Sequence, residues 1–477
     1  MTSKRVFIIA DHGLAIFYFL QSDVLPTLLD QGVEVVLLTD DKSVDPIRKR
    51  FNFPGLAIEG LHLDKVEDYV ANTQPMIQWW LDFLRRAGAA GGTNLAVVES
   101  YIQQVKSEAH SRRKSLFPIM ESLVKVLRHS RLARRSLVRF QNRFSPSFYD
   151  DLFNEYQPDL VIASSPGFRE DRYILRAATK HNTPTAAAIF SWDSTSSYGL
   201  SGAEVDWITC WSEIQKGELI GGADWSPEKV NVGGMPPYDG YVRKQWVMER
   251  EEYFNIHGLD PNRKLLSYAS SFVNLSPNIQ NIQALVNLVN SDRLNAPSQL
   301  LIRLHPIHMS GHFVEEADQI RQIAKEQPHV HVVEPKQLGE LDYYSVDDLI
   351  DKTSMMAHAD IFLTVYSTMC VEASFQGRPI ISVCIDSNTG YPGKYWLPMS
   401  KIGIWPTHSR FRASGAGRVA INEMELCTAI NDYYTSPQAN LLAQKEFVNQ
   451  ECTYTDGSAG RRTGEFLLSL LEKSNGS

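Results

Sequence analysis

Short apolar runs alternate with longer segments of helical period along most of the chain, and this alternation begins twice, near Val6 and again near Lys264. Such alternation is typical of parallel β-sheets covered by helices. Because 477 residues exceed one ordinary core, we expect two Rossmann-like α/β domains. The predicted strands are Val6–Ala10, Val33–Leu38, Leu160–Ala163, Thr185–Phe190, Trp207–Trp211, Lys229–Val232, Leu265–Tyr268, Leu300–Leu304, Val330–Val333, Ile361–Thr364 and Ile380–Val383.

The same pattern predicts where the domains divide. We expect an N-terminal domain over residues 1–240 and a C-terminal domain over residues 241–455. Residues 73–143 break the alternation and are predicted to be a helical insertion in the first domain. A last helix, at about residues 456–477, is expected to pack back on the first domain.

The second half of the insertion is strongly basic. Between Ser111 and Arg143, ten basic residues accompany a single acid, Glu121, and apolar residues are interleaved with them. One interpretation is a solvated helical hairpin that packs its apolar stripe on its own domain. The alternative is a surface for an anionic membrane or an anionic acceptor. The net charge of −8 for the whole chain argues against general nucleic-acid binding.

The cysteines and the apolar runs bear on localisation. The five cysteines show no paired spacing, which favours reduced thiols over a disulfide framework or a zinc site. The apolar run that begins at Val6 is interrupted at Asp11, too early for a signal peptide, and no run is long enough to span a bilayer. We therefore expect a cytoplasmic protein, with any membrane contact peripheral, at the inner face of the cell membrane.

Polar residues follow several predicted strands, where ligands of open parallel sheets bind. The first strand is followed by Asp11, His12 and Gly13. In the second half these residues carry hydroxyl and imidazole groups suited to phosphate. Neither a GxGxxG nor a GxxxxGK[ST] motif follows any strand, which argues against dinucleotide and P-loop sites. The second-half candidates are Ser270, Ser271, Arg303 within its strand, His305 before Pro306, Ser367, Thr368 and Glu372.

Three segments resemble known transferases. Residues 359–383, "ADIFLTVYSTMCVEASFQGRPIISV", resemble the nucleotide-binding segment of GT-B glycosyltransferases. The pair His305-Pro306 with the downstream hydroxyls resembles bacterial sialyl- and Kdo-transferases, which use CMP-sugars, and CDP-glycerol glycerophosphotransferases. Residues 190–220 and the tail that begins at Cys452 resemble the same group of surface-polysaccharide transferases.

The resemblance implies a GT-B fold, in which two Rossmann-like domains face each other across a cleft. It implies a metal-independent glycosyltransferase of surface polysaccharide or glycan biosynthesis that uses no cofactor. The donor would be a nucleotide sugar, with a cytidine nucleotide favoured over a uridine nucleotide, and the acceptor a glycan or lipid-linked glycan. His305, Ser367 and Thr368 would contact the donor phosphate, Glu372 the ribose, and Ser270 and Ser271 the phosphate side of the site.

An inverting transfer also needs a base that takes the proton of the acceptor hydroxyl. The candidates are Asp11 or His12 after the first strand, and Asp193 after the run Thr185–Phe190. The structural alternative is that Asp193 hydrogen-bonds its own loop and His12 positions the acceptor. Ser367 and Thr368 could likewise be helix caps without a ligand.

Other functions fit the same pattern. A polyol-phosphate transferase of the CDP-glycerol type would use the same kind of donor site. An isomerase of the UDP-sugar 2-epimerase type shares the two-domain layout, and a non-catalytic nucleotide-sugar-binding protein would need the phosphate groups but no base.

Overall fold

The computed structural model describes residues 3–271, 278–309, 311–336, 345–386 and 397–473. The described chain divides into two compact units. The N-terminal unit runs to Asp239 and takes in the residues from Cys452 onward, and the C-terminal unit holds the described residues between Gly240 and Glu451. The sequence placed the corresponding divisions at residues 240 and 455.

The N-terminal unit is built on a seven-stranded sheet in the order β3-β2-β1-β4-β5-β6-β7. Every neighbouring pair is parallel, so all strands end at one edge of the sheet. The direction of winding reverses between β1 and β4, where Ile8 pairs with both Leu37 and Ile162. The strands are β1 (Arg5–Ala10), β2 (Glu34–Thr39), β3 (Leu56–Gly60), β4 (Leu160–Ala163), β5 (Thr185–Ala188), β6 (Trp207–Cys210) and β7 (Val230–Val232).

The C-terminal unit contains a six-stranded parallel sheet in the order β10-β9-β8-β11-β12-β13. Its winding reverses between β8 and β11, and Tyr268 at the centre pairs with Ile302 and Leu363. The strands are β8 (Lys264–Ala269), β9 (Ser298–Arg303), β10 (Val330–Val333), β11 (Ile361–Thr364), β12 (Ile380–Val383) and β13 (Arg418–Ala420).

Helices connect and cover the strands of both sheets. The first thirteen are α1 (Gly13–Leu20), α2 (Val24–Asp30), α3 (Val44–Arg50), α4 (Leu63–Asp68), α5 (Met76–Ala87), α6 (Leu95–Glu108), α7 (Ser111–Lys114), α8 (Phe117–His129), α9 (Arg131–Gln141), α10 (Asp150–Tyr156), α11 (Asp171–Lys180), α12 (Ser194–Ser197) and α13 (Glu213–Ala223). The others are α14 (Asp239–Val242), α15 (Arg250–His257), α16 (Asn278–Val289), α17 (Val314–Lys325), α18 (Val346–His358), α19 (Met369–Gln376), α20 (Met399–Ile402), α21 (Pro406–Ser414), α22 (Glu423–Thr435), α23 (Leu441–Cys452) and α24 (Ala459–Lys473).

The insertion between β3 and β4 has an apolar core of its own. Trp80 and Phe83 of α5 pack with Ile102 of α6 and with Phe117 and Leu127 of α8. Part of the basic segment is therefore buried within the unit, as the self-packing interpretation expects. None of the described helices has the length and apolar character needed to cross a bilayer.

The last helix belongs to the N-terminal unit. The carboxylate of Asp239 accepts the backbone N–H groups of Ala459 (3.0 Å) and Gly460 (2.8 Å), two donors in the first turn of α24 that have no partner inside the helix. Further along α24, Gly464 lies against Thr27 of α2, so closely that a Cβ atom at Gly464 would fall 2.6 Å from the Thr27 side chain.

The prediction of two parallel-sheet, Rossmann-like domains is confirmed. All eleven predicted strands are present, with ends that differ by a few residues. Two strands, β3 and β13, were missed. Both lie at the edge of a sheet and are only partly buried, so neither carries an uninterrupted apolar run.

Candidate functional site

In the N-terminal unit, Asp11 lies at the reversal between β1 and β4. Its side chain is 3% exposed, and its Oδ1 accepts the hydroxyl of Ser164 at 2.6 Å. The guanidinium of Arg169 lies 3.4 Å from Oδ2. Ser164 follows β4 directly, and Arg169 belongs to the same loop, so the parallel ends of β1 and β4 bring these side chains together.

His12 is fixed by the helix that it begins. It is the N-cap of α1, and its Nδ1 accepts the backbone N–H of Ala15 at 3.2 Å. A ring nitrogen that accepts an N–H carries no proton, so the neutral ring of His12 has its proton on Nε2. Burial lowers the pKa of His12, with the Arg169 charge acting in the same direction and the Asp11 charge opposing it. His12 is therefore a neutral donor through Nε2.

Asp193 lies one strand further along the same edge, after β5. Its Oδ1 accepts the hydroxyl of Ser191 at 2.5 Å, within its own loop. The neighbouring residue Phe190 places its ring 5.6 Å from the ring of His12. The loops after β1 and β5 therefore touch, but the described contacts of the Asp193 carboxylate are local.

A buried acid, Asp171, completes this region and was not predicted from the sequence. It accepts the hydroxyl of Ser165 at 2.7 Å and the backbone N–H of Arg169 at 3.1 Å. Burial, and then the charge of Asp11, raises the pKa of Asp171 to about 7. The sequence did indicate a site here, because polar residues follow the predicted strand Leu160–Ala163 directly.

In the C-terminal unit, His305 follows β9 and also has a fixed ring. Its Nδ1 accepts the backbone N–H of Ile307 at 3.2 Å, which leaves the proton on Nε2. Burial lowers the pKa of His305 to about 4, and electrostatic interactions with His308 and Arg303 add to the shift. Its Nε2 has no hydrogen-bond partner among the described residues. His305 is thus a neutral donor at neutral pH.

The turn that carries His305 is held by a second histidine. Nδ1 of the buried His308 accepts the backbone N–H of His305 at 3.1 Å, and its Nε2 donates to Glu316 at 2.7 Å. Ser270, at the end of β8, also accepts the His305 N–H at 2.8 Å and donates its hydroxyl to the Arg303 carbonyl at 3.0 Å. Ser270 therefore supports the position of His305.

The backbone N–H and carbonyl of Ser271 both bond to the side chain of Asn278, as they would to a neighbouring strand. Asn278, at the start of α16, accepts the Ser271 N–H at 2.9 Å and donates to the Ser271 carbonyl at 2.9 Å. Residues 272–277 lie outside the described part of the chain. Since β8 and β11 are neighbours at the reversal, Ser271 shares an edge with Ser367 and Thr368.

The hydroxyls of Ser367 and Thr368 have different contacts. The Ser367 hydroxyl accepts the backbone N–H of Met369 at 3.2 Å. Thr368 is the N-cap residue of α19, but its side chain accepts no capping hydrogen bond. The helix-cap interpretation therefore accounts for Ser367 and not for the hydroxyl of Thr368.

Glu372 lies in the first turn of α19 and is 8% exposed. Its Oε2 accepts Nζ of Lys352 at 2.8 Å and the hydroxyl of Tyr241 at 2.5 Å. Its Oε1 has no hydrogen-bond partner within the described residues. One oxygen is thus anchored, and the other can accept a hydrogen bond from a ligand.

Arg303 is occupied by an internal ion pair. The side chain is 4% exposed and donates to Asp348 at 2.6 Å and to Asp351 at 2.8 Å. Ser345 accepts the Asp348 N–H at 3.1 Å, which is half of a capping box. The Asp348 carboxylate accepts from Arg303 and from the Lys336 N–H instead. The described contacts give Arg303 a structural role, and its predicted contact with the donor stays a prediction.

These groups suit a phosphorylated ligand. The edge of the C-terminal sheet offers a neutral imidazole N–H, a hydroxyl and a helix N-terminus, which bind phosphate oxygens. The edge of the N-terminal sheet offers a carboxylate beside a neutral imidazole donor. Within the described ranges, no three His, Cys, Asp or Glu side chains are grouped as metal ligands.

Comparison with known proteins supports the fold. No protein-family model matches the chain, and no curated protein sequence does. Several solved structures match the chain. UDP-GlcNAc 2-epimerase from Neisseria meningitidis, bound to UDP-GlcNAc, is 12% identical with a TM-score of 0.54, covering 98% of this chain and 100% of that one. MnaA from S. aureus, in a co-structure with UDP, is 13% identical with a TM-score of 0.55, covering 98% and 97%.

A glycosyltransferase from Rickettsia africae is similar to the same extent, with 9% identity, a TM-score of 0.53 and 99% of each chain covered. At such identities the likeness shows the fold alone. The chain therefore has the two-domain GT-B architecture that nucleotide-sugar enzymes use, and the similarity does not distinguish the reaction.

The first prediction concerns the ionisation of His305. In the folded protein the ring should titrate near pH 4 and carry its proton on Nε2 at neutral pH. Because its pKa in the unfolded chain is 6.5, this group favours the folded state fully above about pH 6.5 and loses that contribution as the pH falls towards about 4. Nitrogen–proton correlation NMR, with His305→Asn to assign the signal, measures both properties. A midpoint near 6.5, or a proton on Nδ1, would contradict the assignment.

The second prediction concerns the buried ion pair. Arg303→Met should lower the free energy of unfolding by about 3–5 kcal/mol, because it leaves the carboxylates of Asp348 and Asp351 buried without their cation. Urea unfolding measures the loss. Arg321→Gln, which removes surface ion pairs to Asp318 and Glu334, is the control and should cost about 1 kcal/mol or less. A stable R303M variant with impaired nucleotide binding would make Arg303 a ligand residue instead.

Proposed function

We propose that the protein is a glycosyltransferase that uses a nucleotide sugar to build a surface polysaccharide or another glycan. The C-terminal unit is assigned the donor and the N-terminal unit the base. Transfer breaks the bond between the anomeric carbon and the donor phosphate and forms a bond from that carbon to an acceptor oxygen, whose proton goes to the base. The nucleotide leaves with the bonding electrons.

The observation that carries this proposal is the state of His305. A neutral imidazole with its free N–H on Nε2, on a turn braced by Ser270 and His308, is a fixed donor for the leaving phosphate. Such donors are effective because they need no reorganisation while charge develops. The hydroxyl of Thr368 and the N-terminus of α19 would supply further donors to the same group. Together they would stabilise the leaving nucleotide without a metal ion.

Asp11 is the best-supported base. The backbone bond to His12 Nδ1 leaves that ring as a donor, and Asp193 lies after β5, one strand away from the reversal between β1 and β4 where Asp11 lies. Asp11 is held by Ser164 and keeps a carboxylate that can accept the acceptor proton. His12 would then orient the acceptor through Nε2–H.

The donor nucleotide stays open between cytidine and uridine. The likeness of the C-terminal motifs to CMP-sugar and CDP-glycerol enzymes favours cytidine, whereas two of the similar structures contain UDP or UDP-GlcNAc. The anchored carboxylate of Glu372 would accept ribose hydroxyls, which both nucleotides carry. Discrimination between the cytosine and uracil rings must then come from residues other than these.

A second candidate is a UDP-sugar 2-epimerase, favoured by the similarity to the N. meningitidis enzyme. Its leaving-phosphate chemistry would use the same His305 edge, but inversion at C2 of the sugar requires the C2–H bond to break. The basic insertion between β3 and β4 favours the transferase, because an epimerase acts on a free nucleotide sugar and needs no membrane-facing surface.

The deciding experiment has two steps. Thermal unfolding with CMP, CDP, UDP and their sugars identifies the nucleotide, since a ligand at about a hundred times its Kd adds about 2.7 kcal/mol of apparent stability. The cognate nucleotide sugar is then incubated in deuterated water with and without a glycan acceptor. Acceptor-dependent nucleotide release supports the transferase, and deuterium at C2 without release supports the epimerase. Binding without either reaction would indicate a non-catalytic nucleotide-sugar-binding protein.

The third prediction concerns His305→Ala, which should lower turnover by about a hundredfold at saturating donor, the usual cost of one preorganised donor. His305→Asn separates chemistry from turn structure, because an asparagine carbonyl can still accept the Ile307 N–H but places no donor at the Nε2 position. His331→Ala, on β10, is the control. Parent turnover in the H305N variant would mean that His305 only shapes the turn.

The fourth prediction concerns the base. Asp11→Asn should lower kcat at least about a hundredfold with an unchanged Kd for the nucleotide, since the amide still accepts the Ser164 hydroxyl but cannot take a proton. His12→Asn keeps an acceptor for the Ala15 N–H and should lose less than about tenfold, the value of one neutral hydrogen bond. If the H12N variant is the more damaged of the two, the assignment of the base to Asp11 is wrong.

A further inference from the structure

The outer face of α8 carries an apolar stripe that the insertion does not cover. Ile119, Leu123 and Val126 recur at the spacing of one helix face, and they are 58%, 43% and 57% exposed. The inner face of the same helix, with Phe117 and Leu127, packs into the core of the insertion. Packing within the insertion therefore explains the inner apolar residues and leaves the outer ones unexplained.

The next helix, α9, presents a basic face to solvent. Arg131, Arg135 and Arg139 are exposed at successive turns, together with Leu132, which is 78% exposed. Arg134 lies on the opposite side, where it is buried and donates to both carboxylate oxygens of Asp224, at 2.6 and 2.8 Å. Arg134 is thus a structural residue. On the outer face Arg139 pairs with Glu204 and Arg131 lies 3.7 Å from Asp224, which leaves Arg135 without an ion-pair partner within the described residues.

A cavity of about 290 Å³ lies beside this face. The side chains of Arg135 and the exposed Lys229 have no hydrogen-bond or ion-pair partner within the described part of the chain. An excess of two positive charges therefore remains in the cavity wall. The charged groups that line it are Arg134, Arg135, Arg139 and Lys229, with the carboxylates Glu204 and Asp224.

We propose that the outer faces of α8 and α9 form a peripheral docking surface for an anionic lipid bilayer, with lipid phosphate held between Arg135 and Lys229. Exposed apolar side chains flanked by exposed basic ones are the composition of interfacial helices. A second copy of the chain fits less well, since a two-fold contact would bring the arginines of α9 against their own copies. A soluble anion would leave Leu132 and the α8 stripe in water.

The surface lies away from the proposed chemistry within its own unit. Glu204 and Lys229 precede β6 and β7, so the cavity borders the edge where the strands begin. Asp11 follows β1 and lies at the edge where they end. The docking surface therefore holds the protein at the membrane and takes no part in the reaction, and this proposal does not depend on the proposed activity.

Co-sedimentation with vesicles of equal parts phosphatidylglycerol and phosphatidylcholine tests the surface. The double variant R135Q/K229Q should bind about thirtyfold more weakly, which corresponds to about 2 kcal/mol for two basic residues. K49Q/R50Q, which removes two exposed charges from α3, is the matched control and should bind like the parent. Leu132→Ser should also weaken vesicle binding, but should not change binding to dextran sulfate, a soluble polyanion. Nucleotide binding should be unaffected in all variants.

Results of three kinds would overturn the proposal. The first is unchanged vesicle binding by R135Q/K229Q, or equal binding of the parent to pure phosphatidylcholine. The second is normal vesicle binding by L132S, because the surface would then bind soluble anions through charge alone. The third is a dimeric parent that L132S converts to a monomer in light scattering, since Leu132 would then lie in a contact between copies.

Discussion

The structure depends on parallel strand pairing. In both sheets each neighbouring pair is parallel, so every strand delivers the residues that follow it to the same edge. The winding reverses once in each sheet, between β1 and β4 and between β8 and β11, and at these places two loops diverge and leave room for a ligand. Asp11 and Ser271 occupy the two reversals, far from each other in sequence but equivalent in position.

How much of the fold can be predicted follows from burial. A central strand such as β1 is covered on both faces and reads as an apolar run, which is why the parallel architecture was evident from the sequence. Edge strands lack that signal. β3, "LAIEG", is buried at one residue and β13 has three residues, so both pass for connecting segments. Their pairing is determined by neighbours that are distant in the sequence.

Site residues could be predicted where their role follows from their position at the end of a strand. They were harder to predict where the role depends on side-chain partners that are distant in the sequence. His305 was predicted because it ends a strand, but its tautomer depends on the Ile307 N–H and its neutrality on burial. Arg303 was grouped with the donor residues because the sequence does not show Asp348 and Asp351, 45 and 48 residues later, facing it. Asp171 was missed although its loop follows a predicted strand, since its raised pKa arises from burial that only the fold creates.

The capping of α24 by Asp239 has a consequence for biosynthesis. In the N-terminal unit α24 packs on α2, but that helix follows the whole C-terminal unit in the sequence. Domains generally fold as units while the chain emerges from the ribosome. The C-terminal unit can therefore be complete before α24 has been synthesised, so that the N-terminal unit, the first of the two to emerge, is the second to be finished.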